Sequence, residues 1–540
     1  MDKTVRNRSL TEFRETVNRR VINPGTRDRW ITWVYMAFAL AMLLHHVYIT
    51  VFYPFPEPGA IPFRFPWVFL AGITILLGRM WKDRCFWILG TLLLIKFLRV
   101  AIPMPENLSE IQTVYELCIY AFFICYGAGR VFTPKDRETF ISLFCALWTA
   151  AMTVYACIGL YTVFTGTEIF NLGTKSFYVH TSENRLWPIY HPVEAGTLAA
   201  LSIAVALVGF FIARRKKLRG LYIPAVLLIF LLNIFCSSRT SYILTGMGFG
   251  APAAMLMYEL LQRWKRQGKG FTLLRIGVAC VTFAGCAALL VLLQMKAVPA
   301  YNSLRNRGVG LVSGAKAEMA AETEGIAAAD ETENIRGITD PAGDDAAPDE
   351  VDNVAAVLPD EGGKADLNTR DFVTDEGVDG LLTGRMTIWI HCCSGIAHYP
   401  IYALIGAGVY EPMEHINHFI RAGLALPEIY HFHSTFIQTL WESGIPGFLL
   451  FVFFFGIFVW NAVGLIRNRC APMWRRLIFL PAALCWLADL IDCTGYCNWG
   501  KPPMTILYLF TGLTIVTARE LRKSKEKEQT ECITGKERLF

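Results

Sequence analysis

The chain has few charged residues for its length, and this shortage excludes several classes of protein. Of its 540 residues, 18% are charged and 54% are hydrophobic, whereas charged residues make up about 25% of a typical soluble protein. The hydrophobic residues lie in nearly uncharged blocks of about 20 residues, long enough to cross the hydrocarbon core of a bilayer. A soluble enzyme, a disordered protein and a disulfide-stabilised secreted domain are therefore excluded.

The sequence also lacks the motifs that metal-dependent chemistry requires. Its 15 cysteines are scattered mostly through the hydrophobic blocks, and neither a zinc-ligand spacing nor a His-Glu-x-x-His motif occurs. No convincing internal repeat of the kind that many transporters carry is present. We therefore predict no metal site and no cofactor.

The hydrophobic blocks predict an all-α polytopic membrane protein, a helical bundle with about twelve transmembrane helices. Lys and Arg are concentrated in the N-terminal segment, in every second connection and in the C-terminal tail. Because short basic loops stay on the cytoplasmic side, we expect a multi-pass protein of the cytoplasmic (inner) membrane with both termini cytoplasmic, and no nucleic-acid partner. The predicted spans are Trp30–Phe52, Phe65–Trp81, Cys85–Ile102, Glu116–Phe132, Phe140–Phe164, Ala195–Ala213, Gly220–Cys236, Thr240–Leu260, Leu273–Met295, Gly444–Ile466, Trp474–Tyr496 and Met504–Ala518.

This topology divides the chain into two membrane regions separated by one large outer loop between spans 9 and 10. Spans 1–9 occupy residues 1–296, and spans 10–12 with a basic cytoplasmic tail occupy residues 444–540. Residues 315–380 contain 19 Asp or Glu, four Lys or Arg and a single aromatic residue. The acidic insertion, residues 297–384, is therefore predicted to be disordered. Residues 385–443 are rich in aromatic residues and His, so we predict a folded helical segment on the outer face.

Two arginines occupy positions that suit the binding of an anion. Arg239, in "CSSRTSY", lies in a short connection between two spans, near the outer membrane surface. It either anchors a helix end or, since a lone Arg here runs against the charge bias of the other loops, grips a phosphate or carboxylate. Arg385 opens the folded outer segment four residues before Trp389. It either pairs with the nearby acidic residues or serves as a functional group on a rigid helix.

A candidate general base lies in "HFHSTFIQTLWESGIPGFLLF". His433 precedes apolar residues spaced as one face of a helix, and Gly444 is predicted to break that helix before the next span. The positive end of a helix disfavours imidazolium, which leaves a neutral imidazole able to accept a proton near pH 7. A surface or capping His is the simpler interpretation, and His431 is the competing base. The apolar residues are Phe436, Ile437, Leu440 and Trp441.

A third candidate segment, "ENRLWPIYHPVEAG", lies in an earlier outer loop directly before a span. Arg185, Tyr190 and His191 either bind substrate there or anchor the chain at the level of the lipid headgroups.

These segments, in this order, resemble the O-antigen ligase and polymerase superfamily of integral-membrane glycosyltransferases. "SSRTSYILTGMGFG" resembles its Ser-x-Arg helix start, "GRMTIWIHCCSGIAHYPIYALIGAGVY" its Arg…Trp…Pro…Gly-x-Gly stretch, and "RLWPIYHPVEAGTLAAL" its Arg…His/Asn-Pro segment before a span. "HFHSTFIQTLWESGIPGFLLF" is similar to its His-led segment, with Ser434 where the family commonly has Asn. The resemblance covers roughly residues 180–300 and 380–470 and the plan of twelve spans.

The resemblance implies a metal-independent, inverting transfer of a glycan from a polyprenyl diphosphate carrier on the outer face of the membrane. Arg239 and Arg385 would bind the diphosphate and stabilise the leaving group, and His433 would deprotonate the acceptor hydroxyl. Arg185 and His191 would assist at the phosphates or the sugar. The acceptor would be a lipid, a wall polymer or a protein.

Three alternatives remain open from the sequence: a polymerase, a transporter or flippase, and a receptor or scaffold without chemistry, which only the predicted disordered loop favours. A polymerase would extend the lipid-linked chain instead of moving the glycan to a new acceptor. A non-enzymatic transporter or flippase would place ionisable groups within the spans. His45 and His46 in the first span are the best feature for transport. The spans contain few other ionisable residues, among them Lys96 and Asp489, and most of these lie near span ends, which argues against transport.

Overall fold

A computed structural model gives the architecture of most of the chain. It describes residues 15–23, 26–52, 64–101, 123–166, 168–170, 176–180, 185–188, 192–263, 269–327, 385–398, 400–406, 432, 434–468, 470–491 and 502–537.

The described part of the chain is almost entirely helical. Short helical turns occur at Asn18–Ile22 and Met80–Lys82. The helices are α1 (Arg29–Phe52), α2 (Arg64–Gly78), α3 (Arg84–Ala101), α4 (123–131), α5 (Pro134–Thr165), α6 (Pro192–Ile212), α7 (Lys216–Cys236), α8 (Arg239–Arg263), α9 (Lys269–Ala327), α10 (Arg385–His398), α11 (Pro400–Ile405), α12 (Thr435–Arg467), α13 (Met473–Leu477), α14 (Leu480–Ile491) and α15 (Pro502–Glu537).

The prediction of an all-α polytopic membrane protein is confirmed. Within the described ranges, six helices have the length and apolar composition needed to cross a bilayer, and the total of twelve spans stays a prediction. The six segments are Pro134–Thr165, Pro192–Ile212, Lys216–Cys236, Thr272–Ser303, Thr435–Arg467 and Pro503–Ser524.

Helix α6 forms the centre of the bundle and is buried along nearly its whole length. It packs against α5, α7, α8 and α14. Small residues permit this, because a Cβ at Gly196 would lie 2.8 Å from Ser241 Oγ and one at Gly209 would lie 2.6 Å from the Tyr222 ring. Lipid is as apolar as the helix surfaces, so close packing of small residues is what favours association here.

The structure differs from the sequence-based expectations outside the core. Helix α9 continues to Ala327, so it enters the segment expected to be disordered; the remainder, residues 328–384, lies outside the described residues. The loop after α5 contains a small antiparallel sheet, which the sequence analysis did not predict. Its order is β1 (Ile169–Phe170), β2 (Ser176–His180) and β3 (Arg185–Pro188), with His180 paired to Arg185.

A buried carboxylate links the helices at one end of the bundle. Asp83, in the turn between α2 and α3, accepts hydrogen bonds from Tyr126 Oη (2.7 Å), Arg130 Nη1 (2.5 Å) and Arg519 Nη1 (3.0 Å). Burial raises the pKa of Asp83, but Arg130, Tyr126 and Arg519 outweigh it and hold the pKa below its usual value. One carboxylate therefore links three helices: α3 begins beside it, α4 carries Tyr126 and Arg130, and α15 carries Arg519.

We expect Asp83→Asn to destabilise the protein by about 3 kcal/mol at pH 7, because it leaves two guanidinium groups without their shared carboxylate. A lowered carboxyl pKa stabilises the fold above the unfolded-state pKa, and this contribution is lost as the pH falls through the folded-state pKa. Thermal unfolding in detergent should therefore depend less on pH below about pH 5 in the variant. The control is Glu138→Gln, whose partner Arg214 is 82% exposed and which should change the melting temperature little. Equal melting temperatures for Asp83→Asn and wild type would contradict the account.

Candidate active site

A tight turn between α7 and α8 places Arg239. Ser237 adopts a left-handed conformation with φ 48° and ψ 51°, and its N–H donates to Ile234 O at 3.0 Å. The Tyr242 hydroxyl also donates to Ile234 O, at 2.9 Å, and the Tyr242 N–H donates to Ser238 O at 3.0 Å. Left-handed backbone is uncommon outside glycine, so these bonds hold a specific geometry. Arg239 is the first residue of α8 and is half-buried.

Strand β3 brings Arg185 to the same turn. The strand packs against α5, α6 and α7, and Arg185 is 1% exposed. It lies close enough to Cys236 and Tyr242 for its charge to act on both side chains. Two of the arginines singled out in the sequence, Arg185 and Arg239, therefore border one turn.

A second group of elements consists of α10, α11 and the start of α12. Arg385 begins α10, as the sequence predicts, although its side chain lies outside the described part of the structure. Trp389, one turn later, donates from Nε1 to Phe432 O at 2.8 Å. The Phe432 ring lies 5.5 Å from the Trp441 ring, and both side chains are buried. Helix α10 is thereby attached to the segment that leads into α12.

Two glycines allow α12 to turn sharply where the sequence predicts a break. Gly444 has φ 65° and ψ −173° inside α12, and Gly406 ends α11 with φ 76°. A Cβ at Gly444 would lie 2.8 Å from Gly406 N, and one at Gly406 would clash with the backbone at Glu442. Positive φ and the absence of space both require glycine at the two positions.

The chain folds back on itself at this turn. The Phe436 ring, before Gly444, lies 5.1 Å from the Phe451 ring after it and 6.0 Å from Trp486 of α14. Trp441 packs instead against Phe432 and Tyr402. The helix predicted over residues 436–441 is present, and Phe436 and Trp441 at the two edges of its apolar face pack against different neighbours.

An apolar cleft runs along the other side of α12. A cavity of about 490 Å³ lies between α8, α9, α12 and α14, and Met247 and Phe436 are among its lining residues. A neighbouring cavity of about 790 Å³ shares Phe283 and Ile466 with it and extends to Arg467 and Arg476. The helix that begins with Arg239 and the helix that follows His433 thus form two walls of one cleft.

His433, His431, Tyr190 and His191 lie outside the described residues, although both chain neighbours of His433 are described. Ser434 is the N-cap of α12 and is buried, so His433 directly precedes a helix start as predicted. Among the described residues, no group of three or more His, Cys, Asp or Glu is arranged to hold a metal ion.

A buried ion pair that was not predicted from the sequence lies next to the turn at Gly444. Lys96 Nζ of α3 lies 2.7 Å from Glu442 Oε2 of α12, and the two side chains are 8% and 3% exposed. Lys96 was visible in the sequence as a charge inside a span, but its partner is 346 positions away. Only the tertiary structure joins them.

Gln294 of α9 is a second polar residue that the sequence analysis missed. Helices α8 and α9 pack antiparallel, with Gly246 against Ala287 and Gly250 against Phe283. This register brings Gln294 level with Arg239. Gln294 is fully buried, and within the described part of the chain neither its Nε2 nor its Oε1 has a hydrogen-bond partner. A buried, unsatisfied amide is costly and calls for a functional explanation.

Comparison with known proteins supplies the family. Residues 225–452 match the sequence model of the family described as O-antigen ligase. The match covers less than half of the chain and supports the O-antigen ligase/polymerase superfamily for that part. No curated protein matches the chain in a sequence search.

The O-antigen ligase match covers most of the site described above. It includes the turn that carries Arg239, helices α8 to α11 and the part of α12 that turns at Gly444. Arg185 and Lys96 lie outside it. The match supports a membrane glycosyltransferase-like function for the chain, and the matched family uses lipid-linked glycan substrates.

We expect Gln294→Leu to stabilise the fold of the protein and to lower its glycan-transfer activity. Removing an unsatisfied buried amide should increase the free energy of unfolding by about 1–3 kcal/mol, and removing a polar group beside Arg239 should lower glycan transfer severalfold. Thermal unfolding in detergent and a transfer assay measure the two effects. Thr282→Val is the control, because the Thr282 hydroxyl is satisfied by Val278 O at 2.8 Å. Full transfer by Gln294→Leu would exclude a role for this residue in the site.

Proposed function

We propose that the protein transfers a glycan from a polyprenyl diphosphate carrier to an acceptor hydroxyl at the outer face of the cytoplasmic membrane. The observation that carries this proposal is the arrangement of Arg185 and Arg239 around one turn, at the start of helix α8, which further along lines an apolar cleft. A lipid-linked diphosphate has the matching chemistry, since it joins a strongly anionic head to an apolar chain. Guanidinium groups bind such phosphates bidentately.

The proposed chemistry is a single displacement at the anomeric carbon. His433 Nε2 or Nδ1 removes the proton of the acceptor hydroxyl as its oxygen attacks, and polyprenyl diphosphate leaves with the electron pair of the broken C–O bond. Arg239 and Arg385 stabilise the charge that grows on the departing diphosphate. The sugar inverts its configuration, and no metal is needed in this scheme. His431 is the alternative base.

Arg185, Tyr190 and His191 are proposed to assist at the phosphates or the sugar. Support for Arg185 is its complete burial next to the Arg239 turn. A buried guanidinium at that place adds positive potential where the leaving diphosphate accumulates charge.

The apolar cleft is proposed to hold the polyprenyl chain. Its lining between α8, α12 and α14 is almost entirely apolar, including Met247, Ala251 and Phe455. It begins near Phe436, three residues after His433, so a chain in the cleft would leave its diphosphate near the proposed base.

The proposed orientation places both termini in the cytoplasm and the site outside, because Lys and Arg fill the connections on one side of the bundle. We favour a ligase, in which the acceptor is a lipid, a wall polymer or a protein. Growth of the glycan on its own carrier would instead identify a polymerase, and the product of the transfer assay separates the two.

Arg239→Ala and His433→Ala test the proposal directly. We expect the release of polyprenyl diphosphate from purified protein to fall by about 10²–10³ for Arg239→Ala and 10²–10⁴ for His433→Ala, with wild-type activity unaffected by EDTA. The matched control is Arg214→Ala, whose side chain is 82% exposed at the opposite end of α6 and pairs with Glu138. Full activity in His433→Ala would show that His433 is not the base and would leave His431 as the candidate. Full activity in both Arg239→Ala and His433→Ala would contradict the proposed mechanism.

Ala251→Phe tests the cleft. The larger side chain should fill part of the cavity and raise the KM for a full-length polyprenyl donor about tenfold, equivalent to ~1.4 kcal/mol of binding, with kcat little changed. A donor with a truncated prenyl tail should be unaffected. Leu273→Phe is the control, because Leu273 is 71% exposed on α9 and does not line the cavity. Equal KM changes for the two donors would place the prenyl chain elsewhere.

A further inference from the structure

The Lys96–Glu442 ion pair is buried between α3, which the sequence predicts to span the membrane, and α12, in a place where charges are expensive. It joins α3 to the part of α12 that precedes the Gly444 turn, at 2.7 Å. A buried ion pair is weak evidence for stability, because well-packed apolar residues often replace one without loss. Ionisable residues within a membrane are rare and tend to mark functional sites. The scheme proposed for glycan transfer gives this pair no role.

The pair continues as a chain of hydrogen bonds toward the proposed base. Gln438 Nε2 donates to Glu442 Oε1 at 2.8 Å. Gln438 Oε1 in turn accepts the backbone N–H of Phe432 at 3.1 Å. The carbonyl of the same residue, Phe432, accepts from Trp389 Nε1 at 2.8 Å. Both backbone groups of Phe432 are therefore fixed by side chains from two different helices.

Phe432 lies between α10 and the start of α12, and it is hydrogen-bonded to both helices. It directly precedes His433 in the chain, and Trp389 lies one helical turn after Arg385. The chain of bonds thus connects the helix that begins with Arg385, the residue before His433 and, through Lys96, the membrane helix α3. Every hydrogen bond in this network pairs a donor with an acceptor. Lys96 donates to Glu442, the Phe432 N–H donates to Gln438, and Gln438 donates to Glu442.

We infer that Lys96, Glu442 and Gln438 are positioning residues that hold the Phe432 backbone, and with it the proposed base and Arg385, in the geometry needed for glycan transfer. This inference rests on the proposed function. Misplacement of a reacting group by about 1 Å costs on the order of 10²-fold in rate. Loss of these hydrogen bonds therefore lowers kcat. The KM for the lipid donor stays close to the wild-type value, because the donor is bound mainly through its diphosphate and its prenyl tail.

Gln438→Leu and a charge exchange distinguish positioning from stability. Gln438→Leu leaves the ion pair intact and cuts only its link to Phe432. The exchange Lys96→Glu with Glu442→Lys restores an ion pair, but a lysine ammonium cannot accept the bond from Gln438. Both variants should lose roughly 10- to 100-fold in kcat with the donor KM within about twofold. Arg137→Met is the control, since Arg137 pairs with Glu520 at 2.7 Å in another partly buried ion pair and should change stability but not kcat.

Amide hydrogen exchange supplies a readout that does not depend on activity. The Phe432 N–H should be protected in wild type and in Arg137→Met, and should exchange at least about tenfold faster in Gln438→Leu and in the charge exchange. Unchanged kcat in Gln438→Leu, full rescue by the charge exchange, or unchanged protection of the Phe432 amide would overturn the inference. Absence of transfer by the wild-type protein, together with the expected exchange pattern, would contradict the proposed function while leaving the structural link to Phe432 standing.

Discussion

The close approach of Gly406 to Gly444 is the constraint on which the arrangement of α10, α11 and α12 depends. With hydrogen at both Cα positions, α12 reverses direction inside the bundle and α11 ends against the reversal. Phe436 can then pack on Phe451, and Trp441 can pack on Phe432. A side chain at either glycine would separate α11 from α12 and move the residues before α12 away from α10.

The positions of the remaining polar groups are explained by the free-energy cost of placing polar groups in lipid. At one end of the bundle, Asp83 collects Tyr126, Arg130 and Arg519 around a single carboxylate. Elsewhere, Lys96 and Glu442 form a buried ion pair between α3 and α12, and α8, which begins with Arg239, lines an apolar cleft. The buried carboxylate and the buried ion pair hold helices together, whereas Arg185 and Arg239 border one turn, with Arg185 buried and Arg239 half-buried.

Much of this organisation can be predicted from the sequence, because it depends on local patterns of residues. Charge-free blocks predict the helices, a tight serine-rich connection predicts the start of α8 at Arg239, and a Gly-x-Pro-Gly segment predicts the break at Gly444. The pairing of Lys96 with Glu442 is not legible, because the two are 346 positions apart and each alone resembles a charge near a helix end. The strands around Arg185 are two to five residues long, too short for a pattern of alternation.

A photoreactive polyprenyl diphosphate glycan, with its reactive group on the first isoprene unit, tests the central claim that one site joins the Arg239 turn to the start of α12. Irradiation of purified protein followed by peptide mapping would locate the bound head group. The account predicts cross-links to peptides of both walls, residues 239–247 of α8 and 434–440 of α12, and their loss in Arg239→Ala. Cross-links confined to the outward-facing surface of α9, or unchanged by Arg239→Ala, would contradict it.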